Sequence, residues 1–279
     1  MSAITSYFHD GLTFEVSDQG PARSEVVVLL HGFPQTRTSW DQVTPFLNEA
    51  GYRTLAPDLR GYSPAARPRR RRDYNLRYMV DDVVALIDEV GQPVHVVGHD
   101  WGAATAWSLA AMRPEHVRTL TAVSVPHPGA MLSVGLPQLK KSWYMFANQI
   151  PFAAELLMSD RKRARKVLRG TGMPPAAIDR YVTEIIDTGA MTTALNWYRG
   201  LPFTSRKTLK SRVRVPTTMV WSDGDQFLHR LGAERSVDYV DADFKLEIME
   251  GLSHWIPDEA PEQLAEIILA RAASIADSH

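Results

Sequence analysis

The sequence predicts an α/β protein: a mostly parallel sheet covered by helices on both faces and interrupted once by a long helical insertion. Three observations predict it. Short apolar or β-branched runs alternate with segments of helical spacing, the rhythm of strand, crossover helix and parallel strand. The rhythm stops between about Pro128 and Arg212, where no run reads as a buried strand, and resumes afterwards. A glycine-bracketed turn, Gly98-His99-Asp100-Trp101-Gly102, joins one strand directly to one helix.

Taken in order, Val26 to Leu30 is continuously apolar, as expected for a strand covered on both faces, and it ends at His31-Gly32-Phe33-Pro34. Trp40 to Ala50 has helical spacing, with Ser39 placed to cap it. Arg53 to Ala56 is a second short strand, followed by the loop Pro57-Asp58-Leu59-Arg60-Gly61. Met79 to Val90 reads as a helix with Met79, Val80, Val83, Leu86, Ile87 and Val90 on one face. Val94 to Val97 is a third strand, and Gly102 to Met112 a helix of small residues stopped by Pro114. Leu120 to Val125, Val215 to Trp221 and Phe244 to Met249 complete the strands, and an amphipathic helix runs from Pro261 to about Ile275. The expected division is a core of residues 1–127 and 213–279 carrying a helical cap of residues 128–212.

Composition narrows the function classes. Of 279 residues, 44% are hydrophobic and 23% charged, enough for a sizeable core, and the formal net charge of -1 makes no electrostatic case for nucleic acid or an anionic membrane surface. There is no cysteine, which removes disulfides, thiolate metal sites and cysteine nucleophiles together. Met1 to Gly11 does not read as a signal peptide and no stretch reaches the roughly 20 apolar residues of a membrane span, so a cytoplasmic protein without membrane insertion is expected. The basic run Arg67 and Arg69 to Arg72, broken by Pro68, reads as a solvated loop.

The turn at Asp100 carries the chemistry. Gly-x-nucleophile-x-Gly between a strand and a helix places the central side chain on a turn too tight for side chains at its flanks, and the helix N-terminus supplies free amides and positive potential beside it. The centre is usually serine. An aspartate there is ionised at neutral pH and attacks a carbon bearing a leaving group without help from a base, forming an ester with the protein. The competing reading makes Asp100 an ordinary helix cap.

The acid and base follow in the order this architecture uses. Ser222-Asp223-Gly224-Asp225 comes after one late strand, and His254 sits in the loop between the last strand and the last helix. Both aspartates lie in their loop; Asp225 is preferred as the partner of His254, with Asp223 as a turn residue.

With these residues in place, the chain resembles the epoxide hydrolases of the α/β-hydrolase superfamily over nearly its full length. The matching segments are His31 to Gln35, Asp58 to Ser63, Gly98 to Ala103, Asn196-Trp197-Tyr198-Arg199, Ser222 to Asp225 and Gly251 to Trp255. The resemblance implies an α/β-hydrolase fold with a helical cap inserted after the sixth strand. It implies an oxyanion hole from the backbone amides of Phe33 and Trp101, and a cap tyrosine, Tyr198, that hydrogen-bonds the epoxide oxygen. The family's second cap tyrosine precedes a Gln-x-Pro segment; Gln149-Ile150-Pro151 matches it, but Ala147 stands at the expected position, leaving Tyr144, one turn earlier, as the candidate. The implied reaction adds water to a small hydrophobic epoxide through an ester on Asp100, giving a vicinal diol with no metal or organic cofactor, in a monomer or homodimer.

Two other classes compete. Haloalkane dehalogenases share the aspartate and the following tryptophan but commonly use an Asn for halide where this chain has Phe33; fluoroacetate-type enzymes resemble Asp-Arg, and Trp101 occupies that place. A non-catalytic ligand binder on the same fold would be marked by a missing member of Asp100, Asp225 and His254, and none is missing.

Overall fold

The computed structural model describes residues 2–150 and 152–275. Eight strands form one sheet in the order β1-β2-β4-β3-β5-β6-β7-β8: β1 Ser6–His9, β2 Leu12–Gln19, β3 Val26–Leu30, β4 Arg53–Pro57, β5 Val94–His99, β6 Val117–Val123, β7 Thr217–Ser222 and β8 Phe244–Met249. From β4 to β8 every pairing is parallel, and β1 and β2 join antiparallel at one edge. β3, β4, β5 and β7 are buried at every position, although only β3 is an uninterrupted apolar run.

Successive strand residues point to opposite faces, and the core divides accordingly. Val26, Val28, Leu30 and Val96 pack on one side with the helices α2, Leu76–Val90, and α3, Trp101–Met112. Val27, Leu29, Val97 and Val220 pack on the other with Leu47 and the C-terminal helix Pro261–Ala273. All six residues expected on the buried face of α2 are buried.

Between β6 and β7 the chain is helical from Pro128 to Leu209 apart from its connections, with a π-helical turn at Val182–Ile186. Polar ties hold this segment down on the sheet domain. Trp197 Nε1 donates to the Arg60 carbonyl at 2.6 Å, Arg67 reaches the Thr188 carbonyl at 2.9 Å, and Glu184 accepts from Thr36 and Thr38. The rest of the basic run, Arg69 to Arg72, is exposed, as a solvated loop requires.

Three local readings are corrected. The expected helix from Trp40 to Ala50 is a 3-10 turn, Arg37–Trp40, followed by a short helix, α1, Thr44–Glu49; Pro45 has no amide to donate and is tolerated only in the first turn, so the helix starts there. The cap of the 3-10 turn is Thr36, whose side chain accepts from the Thr38 amide at 3.4 Å, rather than Ser39. The edge strands β1 and β2 were not expected at all; they alternate exposed and buried residues and carry Ser, Glu, Asp and Gln.

Candidate active site

Asp100 occupies the turn between β5 and α3 with φ 53° and ψ -119°, a conformation bulky side chains avoid and tight turns store at functional positions. Its neighbours allow this because a Cβ at Gly98 would collide with the Gly102 carbonyl, and one at Gly102 with the Leu30 carbonyl, so the helix start lies against the strand end. The Asp100 side chain makes no capping bond to its own helix, which disposes of the simple cap. Instead Oδ1 accepts from the Phe33 amide at 2.7 Å, and Oδ2 lies 3.4 Å from His254 Nε2. Trp101 is the first residue of α3, so its amide has no intrahelical acceptor.

On the far side of the imidazole, Asp225 Oδ2 meets His254 Nδ1 at 2.8 Å. Asp225 is itself fixed: its Oδ1 accepts from the amides of Phe227 at 2.6 Å and Leu228 at 2.9 Å. Asp223 instead accepts from the Gly251 amide at 2.7 Å and so ties its loop to the one that bears His254. The pair of loop aspartates is thereby divided between the imidazole and the turn.

Burial works against charge on His254, but two carboxylates outweigh it. Asp225 and then Asp100 raise its pKa from 6.5 to about 10. Burial likewise opposes ionisation of Asp100, and the hydrogen bond and positive charge of His254, with the Phe33 amide, hold its pKa below the usual carboxylate value. Both shifts favour an imidazolium at His254 facing an Asp100 carboxylate at neutral pH.

Two residues that sequence reasoning missed hold the His254 backbone. His99 Nε2 and Ser124 Oγ each donate to the His254 carbonyl at 2.9 Å. Burial, then the charge on His254, lowers the His99 pKa to about 4, so it stays neutral. Its place inside the glycine-bracketed turn was the available signal; Ser124, past the end of β6, offered none.

Tyr198 and Tyr144 come from different helices, Met191–Gly200 and Trp143–Ala147. Their rings meet edge-on at 6.1 Å, and Tyr198 also packs edge-on against Phe33 and Trp101, each at 5.1 Å. Gln149 Nε2 donates to the Tyr198 carbonyl at 2.6 Å, and Arg199 to the Asn148 carbonyl at 3.0 Å, which locks the two helices together. Burial, with the Asp100 charge next, pushes both phenols well above their ordinary pKa, so both remain protonated donors. Pro151, in the Gln149-Ile150-Pro151 segment, lies outside the described residues.

The site opens into two apolar cavities that share Asp100, Tyr144 and Tyr198. The larger, ≈ 340 Å³, also touches Phe227, His254 and Trp255; the smaller, ≈ 80 Å³, reaches Val125 and Met131. Such walls suit an apolar ligand with one reactive polar group. No cluster of metal-binding side chains occurs among the described residues.

Comparison with known proteins places the fold and the family. The model of the alpha/beta hydrolase fold family matches residues 25–261. The AB hydrolase superfamily protein YfhM of Bacillus subtilis is 35% identical, covering 93% of this chain and 94% of its own length. Epoxide hydrolase 3 of Xenopus tropicalis is 34% identical, covering 92% of this chain and 74% of its own. The crystal structure of epoxide hydrolase A from Mycobacterium thermoresistibile superposes with a TM-score of 0.84 over 96% of this chain and 97% of that one, at 22% identity, a likeness of fold. From the matched family model, the shared architecture and these identities, the chain belongs to the α/β-hydrolase fold family and, within it, to the epoxide hydrolases.

Proposed function

We propose that this chain hydrolyses epoxides to vicinal diols through a covalent ester on Asp100. One observation carries the reading: a carboxylate on the strand-to-helix turn, linked through His254 to Asp225, shares one apolar cavity with two protonated tyrosines. The proposed division is a core of residues 1–127 and 213–279 with 128–212 as a cap that brings the tyrosines over the nucleophile; within these spans Met1, Pro151 and 276–279 lie outside the described residues.

In the first half-reaction an Asp100 oxygen attacks an epoxide carbon, the ring C–O bond breaks, and the departing oxygen takes a proton from Tyr198, with Tyr144 as the second donor. The resting charges suit this step, since Asp100 is an ionised nucleophile in a buried site.

Esterification then removes the negative charge on Asp100, one of the two groups that raise the His254 pKa. With only Asp225 left to oppose burial, His254 gives up its proton, which restores the Tyr198 phenol, and the neutral imidazole becomes a base. It takes a proton from water as the oxygen adds to the ester carbonyl. The amides of Phe33 and Trp101 hold the oxyanion; on collapse the C–O bond to the substrate breaks, the remaining hydroxyl proton passes to the leaving oxygen, and the diol and the Asp100 carboxylate are released. The oxygen added to the substrate comes from Asp100, and water replaces it there.

A three-substrate panel tests the assignment: styrene oxide, a bromoalkane and a nitrophenyl ester. Diol from the first with neither bromide nor nitrophenolate from the others is expected. Bromide alone would make the protein a dehalogenase with the same nucleophile, and no turnover of any would leave a ligand binder.

A further inference from the structure

The overall charge of -1 hides a strong partition. Residues 128–212 hold 14 Lys and Arg against 5 Asp and Glu, a net +9, so the remainder of the chain carries -10. Much of the excess lies on the helix Arg161–Gly170. Arg161 and Arg165 pair with Asp187 and Asp179, while Lys162, Arg163, Lys166 and Arg169 are exposed and have no acidic partner among the described residues.

The same segment exposes an apolar stripe. Leu136, Leu139, Trp143, Phe146 and Ile150 follow a three-four-three-four spacing, which sets side chains along one side of a helical stretch. Hydrogen bonds from Ser142 to Gln138, Met145 to Ser142, Asn148 to Tyr144 and Ile150 to Ala147 carry the helical path across the breaks between its short helices. These five side chains, and Phe152 and Leu156 beyond them, are between 49% and 75% exposed. Phe152, the most exposed, sits at φ 66°, where an aromatic residue is rare. A contiguous surface of this kind on an otherwise ordinary fold marks an interaction site.

The stripe and the basic helix meet around the larger cavity. Trp143, Ile150 and Leu157 are exposed and line it from one side, while Val167 and Leu168 of the basic helix line it from another. The cavity is therefore bordered by exposed apolar residues of the stripe on one side and by the helix that bears the unpaired cations on another. Apolar side chains flanked by Lys and Arg suit the interface of a bilayer with an anionic surface. An isologous pair of such faces would set net +9 against net +9 at close range, which disfavours a second copy as occupant.

We propose that this face docks peripherally on anionic lipid surfaces, with the cavity mouth turned toward the acyl chains. The docking is independent of the reaction at Asp100, because it is measured without substrate. The test is cosedimentation of the full chain with vesicles of phosphatidylcholine alone and of phosphatidylcholine mixed with phosphatidylserine. Wild-type protein should partition onto the mixed vesicles about tenfold or more above the neutral ones, and 1 M salt, which cuts the Debye length to about 3 Å, should release most of it.

Two variants separate the contributions: F146S/F152S removes apolar contact, and K162E/R163E/K166E reverses charge. Each should lower partition by about tenfold or more, while diol formation from styrene oxide in free solution, measured for both, stays at the wild-type rate and reports intact folding. Equal sedimentation of wild type and both variants, or no wild-type binding to mixed vesicles, would overturn the proposal. So would a wild-type dimer in gel filtration that F146S/F152S dissociates while neither protein binds vesicles, because that outcome gives the face to a second copy.

Discussion

Replacing His254 with Gln tests the proposed division of labour between the two half-reactions. His254 Nε2 is 3.4 Å from Asp100 Oδ2 and the imidazole is almost wholly buried. His99 is a poor replacement base, since it is wholly buried and its pKa is lowered to about 4. General-base catalysis contributes about 10² to 10⁴ in rate; with no substitute in reach the loss in steady turnover should lie near the upper end, about 5 kcal/mol of barrier. Attack by Asp100 needs no base, so it should survive, and Asp225 keeps its two backbone donors and stays in place. The assay is intact-protein mass spectrometry after mixing the variant with styrene oxide. One substrate mass should appear per chain, mapped by peptide sequencing to Asp100, with a burst of one equivalent and little afterwards. Unmodified H254Q protein, under conditions where wild type turns the substrate over, would refute the two-step reasoning; so would H254Q turning over at the wild-type rate.

Three further outcomes are expected. Y198F should slow alkylation by about 10²-fold, Y144F by less, and the double variant by more than either, measured as single-turnover ester formation; equal rates in all three would remove both phenols from the chemistry. His254 has a folded pKa raised from 6.5 to about 10, so its contribution to stability is complete below pH 6.5 and lost as pH rises through 10. The stability difference between wild type and H254Q, from urea midpoints, should therefore shrink as pH is raised across that window, and a constant difference would contradict the charge assignment. Arg199 forms a nearly buried pair with Glu155 at 2.6 Å and also donates to the Asn148 and Ile150 carbonyls. R199M should cost about 3–5 kcal/mol and lower the melting temperature, by calorimetry, by about 10 °C, while an unchanged melting temperature would show that the helices are held otherwise.

The core strands and the nucleophile turn were legible because both depend on local pattern. Strands buried on both faces are rich in apolar and β-branched residues, and a turn this tight needs small residues at fixed offsets. Asp225 and His254 were legible from their order after the turn and their positions at strand ends. The edge strands were not, because β1 and β2 present one face to solvent and mix Ser, Asp and Gln into a short alternation. The choice between Asp223 and Asp225 rested on how two loops meet, and the support of His254 by Ser124 joins residues 130 positions apart. Net charge misled in another way: a sum over the chain cannot register that cations and anions occupy different regions.

The helical segment leaves the sheet at the end of β6 and re-enters at β7, its immediate parallel neighbour. Adjacent parallel strands always require a long connection to carry the chain back to its starting edge. Here that obligatory return path has been enlarged into a second layer, so no ladder is opened to admit it. Its sequence can change widely without disturbing the sheet, provided that it keeps a few anchor points such as Trp197 and Glu184. Under the proposed reaction, new substrate preferences could therefore be written into one replaceable stretch of chain, leaving Asp100, Asp225 and His254 on the part that stays the same.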